Sequence, residues 1–167
     1  MYIVIDMNKL AYLLLVPLLA AGAWSPKPIR WSVVGASSAR TVVAGRTANV
    51  TLQADIDKGW HIYSLTQGPG GPIPLRIQLL GGADLSLRGA IKAPKPVRAL
   101  DKNSGIKIEI YSGSPRFTIP IGVPANSPKG VRKFQIAVRY QVCSDTLCFP
   151  PRTEKLDVTL EVKGPAR

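Results

Sequence analysis

Helical periodicity is what this chain most lacks. Beyond about residue 23 no stretch of its 167 residues repeats apolar side chains every three to four positions. The apolar residues come in short alternating runs instead, and Gly and Pro stand at 15 each. That combination excludes a helical bundle and favours a β-rich domain with many turns. The length suffices for one domain with its own core and is short for two. No internal repeat or low-complexity tract divides it. Histidine occurs once (His61) and cysteine twice (Cys143 and Cys148), so at most one internal disulfide can form. Those three residues are a conceivable copper-binding set, but nothing in their spacing requires a metal.

Only the N-terminus carries an apolar run of any length. Lys9 precedes LAYLLLVPLLAAGA (Leu10 to Ala23), which ends in Ala21-Gly22-Ala23. A basic start, an apolar centre and an A-x-A end predict a secretory signal peptide over residues 1–23, cleaved after about Ala23. The mature domain is then 24–167. The run is short for a membrane span and contains Pro17. No cysteine lies beside the expected cleavage site, which argues against a lipoprotein. Export to the periplasm, or otherwise out of the cytoplasm, would put both cysteines in an oxidising compartment where a close pair forms a disulfide. The charge is lopsided, with 22 Lys and Arg against 10 Asp and Glu for a net +12. The basic residues are scattered, however. Their densest group (Lys92, Lys95, Arg98, Lys102) lacks interleaved aromatics, so a solvated basic surface is expected and nucleic acid is not a predicted partner.

Alternation organises the rest. Val50, Leu52, Ala54 and Ile56 face one way while Thr51, Gln53 and Asp55 face the other, the period of a half-buried strand. Trp31 to Val34, Arg40 to Ala44, Gly59 to Leu65, Ile73 to Leu79 and Leu85 to Leu87 read as further strands. Ile106 to Tyr111, Phe117 to Ile121, Phe134 to Val142 and Thr153 to Val162 complete the set. QGPGGP (Gln67 to Pro72) and Lys92 to Gly105 read as loops, and Pro120 inside its run implies an edge position or a strand end. About eight or nine short strands separated by turns predict an all-β, immunoglobulin-like antiparallel sandwich of two sheets.

The two cysteines lie in YQVCSDTLCFPP (Tyr140 to Pro151), between the last two strands. If the preceding strand continues, Cys143 falls on its polar side at the mouth of a hairpin turn. A disulfide with only four residues between its ends stabilises little, about 2 kcal/mol against about 4.7 for a loop of 100 residues. Such a pair is placed poorly for a staple and well for access. Redox work needs two thiols close together and one open to a partner disulfide. On spacing alone both readings stand: a redox pair, or a structural disulfide that rigidifies the loop of a non-catalytic binding or assembly module.

The flanking residues resemble the N-terminal periplasmic domain of the DsbD thiol:disulfide interchange family. That family's pattern is Tyr-Gln-x-Cys, a short loop with an acidic residue, Cys, an apolar or aromatic residue, then Pro-Pro. Here it reads Tyr140-Gln141-Val142-Cys143, Ser144-Asp145-Thr146-Leu147, Cys148-Phe149-Pro150-Pro151. KGWHIYSLTQGPGGPIPLRI (Lys58 to Ile77) and IEIYSGSPRFTIPI (Ile108 to Ile121) are similar to two further stretches.

The resemblance implies a protein-disulfide reductase component that needs no metal or organic cofactor, because the dithiol is the redox group. It implies thioredoxin-fold proteins and a membrane thiol reductase as electron donors, oxidised periplasmic proteins as acceptors, a monomer, and a link to processes such as cytochrome c biogenesis. By position, Cys148 would form the mixed disulfide and Cys143 would resolve it. His61 and Tyr63 match aromatic positions beside the disulfide. His61 would bear on thiol ionisation if close, since its pKa lies near neutrality, or be an ordinary packing residue. Tyr140 belongs to the motif, Asp145 would tune the pair or form the turn, and Phe149 with its prolines would stiffen the loop. Two departures stand out. The family's cap loop carries an aromatic residue, whereas LDKNSG (Leu100 to Gly105) has none, so the shielding is expected to be either weaker or supplied by Leu100. Members also continue into a membrane conduit and a thioredoxin-like domain, which are here expected to be separate proteins.

Overall fold

A computed structural model of the chain describes residues 27–35, 40–101 and 105–164. The expected signal peptide, and residues 102–104 of the expected cap loop, lie outside the described residues. Twelve strands and no helix occur among those described. They run β1 (Ile29–Val33), β2 (Arg40–Val43), β3 (Thr47–Ile56), β4 (His61–Tyr63), β5 (Arg76–Leu80), β6 (Ser86–Leu87), β7 (Val97–Leu100), β8 (Lys107–Tyr111), β9 (Arg116–Gly122), β10 (Gly130–Tyr140), β11 (Val142–Cys143) and β12 (Arg152–Lys163).

The strands form an immunoglobulin-like β-sandwich. One sheet has the order β1-β3-β9-β6, and the second has the order β2-β12-β10-β5. All pairings in them are antiparallel except β2 with β12. Alternation sets the core as expected: Ala48, Val50, Leu52, Ala54 and Ile56 of β3 are all buried. They meet Phe117, Ile119 and Ile121 of β9 and Phe134, Ile136, Val138, Val158 and Leu160 from the facing sheet. Trp31 fills the middle, its ring 5.7 Å from Phe117 and 5.8 Å from Tyr140.

Three expectations are corrected. A third sheet, β11-β4-β8-β7, joins the two that alternation predicted. β4 and β8 fall within stretches read as strands, whereas β7 and β11, four and two residues long, show no period of their own. Strand β7 lies inside the stretch read as a loop, because Pro94 and Pro96 precede it and leave Val97–Leu100 free to pair with β8. Pro120 sits inside β9, which is flanked by both β3 and β6. Thr118 N donates to Lys92 O on the β6 side of the strand. Residues two apart point their N–H groups the same way, so the donor missing at Pro120 also faces that side. The ladder to β3 stays whole.

The turn after β3 places the third sheet. Trp60 N donates to Asp57 O at 3.1 Å, and Gly59 takes φ +83°, which a residue with a Cβ rarely adopts. The chain thereby leaves the first sheet and presents His61 to Tyr63 to β8 and β11.

Candidate functional site

The cysteine segment begins where β10 stops. At Gln141 the strand breaks. Its side-chain oxygen accepts from Ile73 N at 3.2 Å, and its amide donates to Phe149 O at 3.3 Å. The chain then crosses to the third sheet, where β11 pairs antiparallel with β4, Val142 opposite Ile62 and Cys143 opposite His61. This break resets the alternation. Cys143, expected on an exposed polar side, is instead 0% exposed.

The third sheet has two covered faces. Ile62, Tyr111 and Val142 point into the main core. Tyr63, Ile108 and Cys143 form a second buried cluster, with Ala99, Ile106 and Ile110 against it. His61 shares that face, since it is two residues from Tyr63 and directly opposite Cys143. Such cross-strand pairs hold their Cβ atoms about 4.5–5.5 Å apart.

Cys143 and Cys148 are joined in a disulfide, with S–S 2.05 Å and Cα atoms 4.1 Å apart. The loop between them is locally closed. Ser144 N donates to Leu147 O at 2.7 Å, and Thr146 N and Leu147 N donate to Ser144 Oγ at 3.3 and 3.1 Å. Phe149 N donates to Val142 O at 3.0 Å. The Phe149 ring stacks on Trp60, with centroids 5.3 Å apart and planes 14° from parallel, and the Arg152 guanidinium lies 5.9 Å from its centre. The loop is thus held at both ends while Cys148 itself is exposed. One cysteine is sealed and the other is exposed.

Tyr63 and Asp101 form the roof of this cluster. The Tyr63 hydroxyl donates to Asp101 Oδ2 at 3.1 Å, and both residues are buried. Burial, then the charge and hydrogen bond of Asp101, push the phenol well above its usual range, so it stays protonated. Asp101 is fixed by its backbone: its N–H donates to Ile106 O at 2.8 Å, and its carbonyl accepts from Gly105 N at 2.7 Å. A cavity of about 150 Å³ beside it is lined by His61, Leu100, Asp101, Ile108, Ser144 and Asp145, among others. The His61 ring stands edge-on to Tyr63, centroids 5.4 Å apart at 89°. Its Nε2 is buried and has no hydrogen-bond partner among the described residues. Burial lowers the imidazole pKa below 6.5, opposed by the charges of Asp101 and Asp145.

Of the residues singled out from sequence, the fold gathers Cys143, Cys148, His61, Tyr63 and Asp145 around one loop. Phe149 acts on that loop from the Trp60 side. Tyr140 packs into the main core, its hydroxyl donating to Glu154. Leu100, assigned to shielding, is 65% exposed at the cavity's rim. Sequence reasoning passed over Asp101, although it is the only carboxylate between Asp84 and Glu109 in a basic stretch. It also passed over Trp60 and Glu109. The Glu109 carboxylate accepts from Ser64 Oγ, Thr66 Oγ1 and Arg98 Nε at 3.1, 2.6 and 3.1 Å, which braces the third sheet. These bonds hold its carboxyl below the usual range, Thr66 most strongly. Among the described residues no group of three His, Cys, Asp or Glu side chains is arranged to hold a metal ion.

Comparison with known proteins gives one family. The model described as the N-terminal part of the thiol:disulfide interchange protein DsbD matches residues 32–160. Among solved structures the chain is similar to the N-terminal periplasmic domain of ScsB from Proteus mirabilis. The identity is 17% over 78% of this chain and 44% of that one, with a TM-score of 0.53. It is also similar to the reduced DsbD N-terminal domain of Neisseria meningitidis, at 19% identity over 71% of this chain and 85% of that one, TM-score 0.48. No curated protein sequence matches.

Proposed function

The chain belongs to the family of DsbD N-terminal domains, and from that premise we propose that it relays reducing equivalents through the Cys143–Cys148 pair outside the cytoplasm. A thioredoxin-like donor, itself served by a membrane thiol reductase, reduces the pair, and oxidised periplasmic proteins receive the electrons.

The observation that carries this reading is the asymmetry of the two cysteines: residue Cys148 is exposed on a fixed loop and residue Cys143 is fully buried. Disulfide exchange needs one thiolate that reaches a partner and a second close enough to displace that partner. In the reduced protein the Cys148 thiolate attacks a partner disulfide, and the partner's other sulfur leaves as a thiolate. Cys143 then attacks Cys148 Sγ, the intermolecular bond breaks, and the second partner sulfur departs. The partner gains two electrons and two protons, and Cys143–Cys148 is re-formed. No further redox group is needed. Tyr63 and Asp101 hold the inner wall of the site, and the Trp60–Phe149 stack holds the outer arm of the loop.

The reduction potential of the pair, measured against glutathione, tests the reading. A value above about −300 mV is expected, since inert structural disulfides lie below it. A Cys143→Ser variant should accumulate a mixed disulfide on Cys148. A potential well below that limit, with no trapped species, would leave a disulfide that only rigidifies a recognition loop.

A further inference from the structure

Resolution of the mixed disulfide raises a problem that the exposed thiol does not face. Cys143 is 0% exposed, among Tyr63 and Ile108. Burial in apolar surroundings raises a thiol's pKa, and a thiol without water cannot hand its proton to solvent. A base must stand beside it.

Among the described residues the groups that face this site are few, and Ser144 offers only a hydroxyl. Tyr63 is a protonated phenol already donating to Asp101. Asp101 accepts that bond from the cap segment, and Asp145 projects from the exposed turn of the cysteine loop. From β8 come only Ile108 and Ile110, and from the end of β7 only Ala99 and Leu100. His61 lies directly across the ladder from Cys143. Its Nε2 is buried and has no partner among the described residues, a state that ordinarily costs about 1–3 kcal/mol. The structure holds the oxidised pair, in which neither sulfur carries a proton. Reduction gives Cys143 an S–H group, a donor of the kind that the unmatched nitrogen of the residue opposite it in the ladder lacks.

We propose that His61 is the base that takes the proton from Cys143 as this thiol resolves the mixed disulfide on Cys148. The proposal rests on the exchange reading above. The Cys143 S–H bond breaks and its proton passes to the imidazole. The thiolate pair forms the bond to Cys148 Sγ, and the Cys148–partner bond breaks. The partner leaves as a thiolate and is protonated by water, and the imidazolium returns its proton to solvent.

The test follows the two steps separately in the reduced full chain, using 5,5′-dithiobis(2-nitrobenzoic acid) as the partner disulfide. The first thionitrobenzoate released reports attack by Cys148, and the second reports resolution by Cys143. In the wild-type protein the second step should rise with pH along a histidine titration centred below 6.5. His61→Gln should abolish that step in the profile and slow resolution near neutrality by roughly 10²-fold, the low end for a positioned general base. The deficit should close once pH exceeds the thiol's own pKa, and the first step should be unchanged. His61→Tyr keeps an aromatic ring against Tyr63 without a base that titrates here, so it should lose the same step and separate packing from proton transfer. A second step of unchanged rate and profile in either folded variant would overturn the proposal. Absence of any first step in the wild-type protein would sink the exchange reading, and this one with it.

Discussion

Reduction of the disulfide is the perturbation that most directly separates a working pair from a staple. The bond joins residues only five apart in sequence. Restraining so short a loop in the unfolded chain is worth about 2 kcal/mol, a fraction of the 5–15 kcal/mol typical of a folded domain. Nothing else in the site depends on it. Cys143 stays enclosed by Tyr63 and Ile108, and the Trp60–Phe149 stack and the Gln141 bonds hold the arms of the loop. The reduced protein should therefore remain folded and lose no more than about 2 kcal/mol. By linkage the folded pair would then lie about 40 mV below the same pair in the unfolded chain. Urea unfolding with and without dithiothreitol measures this, and the midpoint should shift while the slope with urea stays nearly constant. The two cysteines should also differ. Cys148→Ser, at an exposed position, should match the reduced wild type to within about 0.5 kcal/mol. Cys143→Ser replaces a buried thiol with a hydroxyl, which is costlier to bury even with the His61 ring opposite it, and should cost about 0.5–2 kcal/mol more. A loss on reduction above about 4 kcal/mol, as for a bond joining distant strands, would refute this reasoning. So would equal losses from the two serine variants.

Two further outcomes follow from the roof of the site. Tyr63→Phe removes the bond to buried Asp101 and should cost about 1.5–3 kcal/mol, as for hydrogen bonds to charged groups. It should also speed reduction by dithiothreitol, and unchanged stability and rate together would show the bond to be idle. Stability should also fall as pH drops below 6.5. The unfolded chain then takes up a proton that buried His61 resists, so the folded state is favoured fully only above that value. His61→Gln should flatten this part of the stability curve. The losses from Glu109, Asp84 and Asp55, whose carboxyls are held low, should appear only near and below 4.5.

Alternation alone determined the sandwich. In β3, β9, β10 and β12 every second side chain is apolar over five or more residues, and burial of one face admits a single register. The motif around Cys143 and Cys148 likewise placed the chemistry on one loop. Tertiary structure decided which sulfur is reachable. The expectation that Cys143 lies on the polar side of its strand assumed that the strand continues, and at Gln141 it does not. Whether a strand continues depends on which neighbour offers hydrogen bonds, and here β4 captures Val142 and Cys143 for a third sheet. Two of its strands, β4 and β8, lie in stretches that read as strands, but β7 and β11 are only four and two residues long, so neither the separate sheet nor the burial of Cys143 was legible in sequence. Asp101 was hidden for the same reason. Its partner Tyr63 is 38 residues away, and only the pairing of β4, β8 and β7 brings the two together over the buried thiol.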